Sequence, residues 1–124
     1  MSKTVLIADG SPTMRRVVER CLRLAGLEPQ QVVEAGDGNE ALRLIEVAHP
    51  DLVLTETRLE GMDGLELLRQ LRQREETRDL PVVFISSHAT EAQVQEALQL
   101  GAQGYIRKPF TADQIKDYVA PMFA

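Results

Sequence analysis

Asp51-Leu52-Val53-Leu54-Thr55-Glu56 is the stretch whose reading decides the fold. Leu52 to Thr55 are apolar or β-branched. One helical pattern closes before them at His49-Pro50, and another opens after them near Gly64. A short apolar run bounded by turn residues, between two helices, reads as a buried parallel strand. Glu56 ends the run, and a polar loop from Thr57 to Gly64 follows. Open α/β sheets bind ligands in the crevice beyond the carboxyl ends of their strands. Glu56 is therefore expected where such a fold does its chemistry.

The same grammar extends in both directions. Val5-Leu6-Ile7-Ala8 predicts a first strand ending at Asp9. Ser11 and Pro12 then suit the N-cap and first position of a helix running to about Ala25, with Met14, Val17, Val18, Cys21, Leu22 and Ala25 as its apolar stripe. Gln31 to Ala35 reads as a second strand. A helix opened by Asn39-Glu40 follows and ends at His49, because a residue before proline avoids helical angles. A third helix is expected from about Gly64 to Glu76, and a fourth strand over Leu80 to Ile85, closed by Ser86. Thr90 can cap a fourth helix. Tyr105-Ile106-Arg107 makes a short fifth strand, and Thr111 caps a last helix.

Strands alternating with helices imply parallel pairing with helices on both faces. The expected fold is α/β, a doubly wound five-stranded (βα)5 sheet in the flavodoxin-like order 2-1-3-4-5. In that order the first and third strands flank the switch point, and Asp9 and Glu56 become neighbours.

Composition sets the outer limits. The 124 residues suit one domain, taken as 1–124 with no output domain, and 44% hydrophobic with 27% charged residues is ordinary for a soluble protein. A net charge of −5 argues against a nucleic-acid surface. No apolar run approaches the ~20 residues needed to span a bilayer, and the N-terminal run is too short for a signal peptide. The expectation is a cytoplasmic protein without membrane or nucleic-acid partners. Cys21 is the single cysteine, so no intrachain disulfide can form, and its place on an apolar stripe reads as core. The arginines of the first helix, Arg15, Arg16, Arg20 and Arg23, read as a solvated face. Neither His49 nor His88 has companions that would complete a metal cluster.

Four strand ends carry polar groups: Asp9, Glu56, Ser86 and Lys108. A carboxylate pair, a hydroxyl and a lysine converging on one crevice is a specific signal. A flavin-binding relative of the same topology would need a phosphate-binding turn after the first strand. Asp9-Gly-Ser-Pro puts an acid there instead, which excludes that reading.

Val5-Leu-Ile-Ala-Asp9, Ser11-Pro-Thr-Met-Arg-Arg16, Glu34-Ala-Gly-Asp-Gly38, Gly61-Met-Asp-Gly64, Gly101-Ala-Gln-Gly-Tyr105 and Lys108-Pro-Phe110 cover essentially the whole chain. In order and spacing the chain resembles a response regulator receiver domain of the chemotaxis single-domain type, atypical at its phosphorylation site. The resemblance implies two-component (phosphorelay) signal transduction. In that family two acids end the first strand, and an aspartate ending the third accepts a phosphoryl group from a histidine kinase with Mg²⁺ between the acids. A hydroxyl and a lysine hold the phosphoryl oxygens. Carried over, Asp9 is the first acid of the pocket and Gly10 replaces the second, a metal ligand. Glu56 stands at the phosphoacceptor, Ser86 and Lys108 at the phosphoryl contacts, and Tyr105 at the switch aromatic.

Two departures bear on chemistry. Mg²⁺ demands near-ideal octahedral oxygen geometry, and Gly10 removes a charged ligand. Glutamate moves its carboxylate by about 1 Å relative to aspartate, and a misplacement of that size can cost about 100-fold in rate. Phosphoryl transfer is mostly positioning and charge stabilisation. The expectation is therefore a pseudo-receiver and not an enzyme, with no metal and no cofactor, in which Glu56 pairs with Lys108 and Arg58 supplies further positive charge. Glu56 would partly imitate a phosphorylated aspartate, lacking its three oxygens and extra charge. The partner would be a signalling protein, with a histidine kinase among the candidates, meeting the face made by the fourth helix, fifth strand and fifth helix, with Gln95, Gln99, Tyr105, Arg107 and Lys116. The alternative is a working Mg²⁺-dependent phosphoacceptor.

Overall fold

The computed structural model describes residues 3–123. Five parallel strands, β1 (Thr4–Ala8), β2 (Gln31–Ala35), β3 (Leu52–Thr55), β4 (Val82–Ser86) and β5 (Gly104–Arg107), form one sheet in the order β2-β1-β3-β4-β5. Between and after them run α1 (Pro12–Leu24), α2 (Gly38–Ala48), α3 (Gly64–Gln73), α4 (Glu91–Gln99) and α5 (Ala112–Val119), with a 3₁₀ turn over Ala120–Phe123.

Side chains alternate across a strand, so each strand feeds two cores. Leu6, Ala8, Val53, Val82 and Phe84 pack on one face with Ala41 and Ile45 of α2, Leu67, Leu68 and Leu71 of α3, and Ala97 of α4. Val5, Ile7, Leu52, Leu54, Val83 and Ile85 pack on the other with Val18 and Leu22 of α1 and Ile115 and Val119 of α5. β3 is buried at every position, as a strand covered on both faces must be. Cys21 packs against the α1–α5 core as a free thiol.

Side-chain caps hold the helix starts. Ser11, Thr90 and Thr111 accept from Met14, Gln93 and Gln114 amides, as the sequence suggests, and Asp37 and Asp63 do the same for α2 and α3. The bounds of α3 and β4 differ from expectation, as does the burial of one α1 residue. α3 ends at Gln73, not Glu76, because Arg74 turns to extended angles and Thr77 Oγ1 donates to the Leu71 carbonyl. β4 begins at Val82, since Pro81 has no amide to give the ladder, and it runs through Ser86. Val17, placed on the apolar stripe of α1, is 40% exposed, because the buried face centres on Val18 and Leu22.

The ladder continues just past the strand ends. Asp9 N donates to Ala35 O, Glu56 N to Ala8 O and Lys108 N to Ser86 O. These bonds hold three charged residues at the same edge of the sheet. α3 approaches that edge closely: a methyl on Gly64 would lie 2.4 Å from the Glu56 carbonyl. The glycine is what lets the helix start there.

Candidate functional site

Lys108 Nζ, following β5, donates to Asp9 Oδ2 at 2.7 Å and to Glu56 Oε2 at 2.9 Å. It spans β4, bringing the ends of β1, β3 and β5 onto one ammonium. Asp9 and Glu56 are 8% and 6% exposed, so the charges meet largely out of water. There an unpaired charge is expensive and a paired one holds the structure together.

The remaining carboxylate oxygens also have partners. Asp9 Oδ1 accepts from the Ser11 amide at 2.9 Å, and Glu56 Oε1 from the Thr57 amide at 2.7 Å. Glu56 Oε2 additionally accepts from Ser87 N at 3.2 Å and Ser87 Oγ at 3.3 Å. Burial pushes the Glu56 pKa up. Hydrogen bonding from Lys108, the neighbouring Ser86 hydroxyl, the Lys108 charge and the Thr57 amide push it down and prevail, leaving it below the usual 4.5. Burial pushes Lys108 down, but its bonds to Asp9 and Glu56 outweigh that and raise it above 10.5.

Ser86 and Arg58 stand differently with respect to the acids. Ser86 Oγ directs its bond to the His88 carbonyl at 3.0 Å. The same hydroxyl lies close enough to Glu56 to help hold its pKa down, and Ser87 N and Oγ bond the carboxylate beside it. Arg58 does not compensate the acids. It is exposed, and among the described residues no hydrogen bond or ion pair joins it to Glu56, because the chain turns outward after the buried Thr57. The second cation near the pocket is Arg15 of α1, whose Nη1 donates to the Asp9 carbonyl at 2.6 Å and whose Nε pairs with Glu34 at 2.8 Å.

Sequence reading missed Arg15, Ser87 and Thr57. The Ser86-Ser87 pair was a visible signal for a hydroxyl but did not say which one faces the acid. Arg15 read as one of a run of surface arginines, and nothing local marked it.

Tyr105 stacks on Phe84, its neighbour across β4–β5, with ring centroids 5.2 Å apart and planes inclined by 8°. Its hydroxyl hydrogen-bonds Thr57 Oγ1. The ring therefore lies inward over the sheet, reaching back to the loop after β3.

The donor set does not suit the divalent ion that such an acidic pocket implies. Mg²⁺ requires about six oxygens at about 2.1 Å. Position 10 offers no side chain, which leaves Asp9 and Glu56 as the two carboxylates at this edge. Among the described residues no group of three or more His, Cys, Asp or Glu side chains is arranged to hold a metal.

A doubly wound sheet in this order, with an acid after β1, an acid after β3 and a lysine after β5 meeting at one edge, defines the receiver class. The response regulator receiver domain model matches residues 5–120, and the chain belongs to that family. Among relatives, it is 41% identical over 119 residues to the chemotaxis protein CheY-3 of Vibrio cholerae, covering 96% of this chain and 90% of that protein. It is 37% identical over 119 residues to the chemotaxis protein CheY of Pseudomonas aeruginosa, covering 96% and 94%. Among solved structures, CheY4 of Vibrio cholerae superposes with a TM-score of 0.83 at 25% identity, covering 98% of this chain and 99% of that one. The receiver domain of the Francisella response regulator 1452 gives 0.83 at 26% identity, covering 98% and 97%. The chain is a CheY-like receiver domain of two-component signalling. No helix among the described residues is long and apolar enough to cross a membrane.

Proposed function

We propose that this chain is a pseudo-receiver, which signals by binding another protein and not by Mg²⁺-dependent phosphorylation. The observation that carries the reading is the combination of Gly10, where a ligand acid is expected, with Glu56 at the phosphoacceptor position. In an ordinary receiver a divalent cation neutralises the acids. Here Gly10 supplies no second acid after β1, and Glu56 fills the phosphoacceptor position with a longer side chain. Glu56 presents its carboxylate to the Ser86-Ser87 turn and to Lys108, the groups that would meet phosphoryl oxygens in a working site. It acts as a permanent, partial imitation of the phosphorylated state.

The partner is a two-component signalling protein, a histidine kinase being one candidate class, and the contacting face is α4–β5–α5 around Tyr105. Exposed Leu98 and Tyr118, at 46% and 42%, give that face an apolar component beside Gln95, Gln99, Arg107 and Lys116. The domain works as a binding module and catalyses nothing.

The test is a titration with Mg²⁺, with and without beryllofluoride, followed by amide NMR. The reading expects the Ser86, Tyr105 and Lys108 amides to stay in place. Saturable shifts at millimolar Mg²⁺ would restore the phosphoacceptor reading.

A further inference from the structure

We infer that Thr57 is the positioning residue that joins the Glu56 carboxylate to Tyr105, so that the arrangement of the acid is transmitted to the α4–β5–α5 face through Thr57 and not through Ser86. The inference rests on the reading of that face as the contact surface, and it deepens that reading by naming the connection.

The geometry is a short continuous chain of contacts. The Thr57 amide donates to Glu56 Oε1 at 2.7 Å, and Thr57 Oγ1 hydrogen-bonds the Tyr105 hydroxyl. Thr57 is 2% exposed, so neither group can exchange its partner for bulk water without local opening. At the other end, the Tyr105 ring lies flat against Phe84, which is fully buried. Tyr105 is thus held at its hydroxyl by the β3–α3 loop and at its ring by β4. The one hydroxyl at the end of β4, Ser86 Oγ, directs its bond to the His88 carbonyl and has no bond to Tyr105. β5 is an edge strand, so Tyr105 has a paired strand on one side only. A buried hydroxyl left without a partner is unfavourable, so the pair holds together as a unit.

A merely structural bond between Thr57 and Tyr105 would stabilise the fold without responding to Glu56. The distinguishing experiment uses the isolated chain with ¹³C-labelled tyrosine, reading the Tyr105 ring resonances and their NOE to Phe84. Tyr118 is the only other tyrosine and serves as internal control. The variants are Glu56→Ala, Glu56→Gln, Thr57→Val and Tyr105→Phe. Thr57→Val keeps the shape of the side chain and removes its hydroxyl.

Glu56→Ala and Thr57→Val are each expected to weaken the Tyr105–Phe84 NOE, and the double variant to do no more than the larger single change. Glu56→Gln retains an Oε1 acceptor for the Thr57 amide and is expected to leave Tyr105 near its parent position. A Thr57→Val, Tyr105→Phe cycle in urea is expected to show coupling of about fivefold in the unfolding constant, the usual size for one hydrogen bond. The inference is overturned if Thr57→Val leaves the ring where it was. It is equally overturned if Glu56→Ala moves Tyr105 as far in the Thr57→Val background as in the parent. These readouts need no partner and no metal, so they can succeed while the pseudo-receiver reading fails, or the reverse.

Discussion

Lys108 Nζ lies 2.9 Å from Glu56 Oε2, so an ammonium and a glutamate carboxylate from strands not paired to each other close the carboxyl edge of the sheet. The same nitrogen holds Asp9 at 2.7 Å. Losing it would leave two largely buried carboxylates side by side. Lys108→Met should destabilise the domain by about 3 kcal/mol at pH 7, the usual penalty for orphaning a buried charge. Arg58→Ala, an exposed change, should stay within about 0.5 kcal/mol. Urea denaturation of the two variants measures the contrast, and equal losses would show that Arg58 shares the load.

The pH dependence follows from the two shifted groups. Glu56 titrates below 4.5 in the fold, so its contribution is complete above 4.5 and is lost as pH falls through its folded value. Lys108 titrates above 10.5, so its contribution is complete below 10.5 and is lost as pH rises through its folded value. The urea midpoint difference between the parent and Glu56→Gln should therefore be flat across neutral pH and shrink at both extremes. A difference that already falls between pH 6 and 8 would mean another group controls the pocket.

Metal binding should be recoverable. A Cβ on Gly10 would find its nearest neighbour, the Gly36 carbonyl, 3.8 Å away, which leaves room for a carboxylate. The double variant Gly10→Asp, Glu56→Asp supplies the missing ligand and shortens the other acid. Calorimetric titration should show Mg²⁺ binding in the double variant and little in either single one. Tight binding by Glu56→Asp alone would make the residue at position 10 irrelevant.

The Gly64→Ala methyl has no space, with the Glu56 carbonyl at 2.4 Å and the Phe84 ring at 3.0 Å. Overpacking of this kind costs about 2 kcal/mol. Thermal unfolding should show a lowered Tm, and the Thr57 and Tyr105 amides should shift in NMR, because the displaced loop carries Thr57. An unchanged Tm would show that α3 can slide without cost.

The sequence by itself determined the architecture. Buried runs such as Leu52–Thr55 and Val82–Ile85, alternating with stripes such as Val18-Leu22 and Leu67-Leu68-Leu71, leave few ways to pack, and the parallel order follows from the alternation. Caps at Ser11, Thr90 and Thr111 were legible because an N-cap works through residues three positions apart. Asp9, Glu56 and Lys108 were legible as a group because each ends a strand, and strand ends share one edge. Only the tertiary structure brought Ser87 to the acid beside Ser86. It also brought Arg15 to the Asp9 carbonyl, left Arg58 outside, and tied Tyr105 to Thr57 across 48 positions of sequence. The physical reason is direction. Periodicity states which residues lie at an edge or on a face, whereas a hydrogen bond depends on where one side chain points within a turn, and that is set by neighbours distant along the chain.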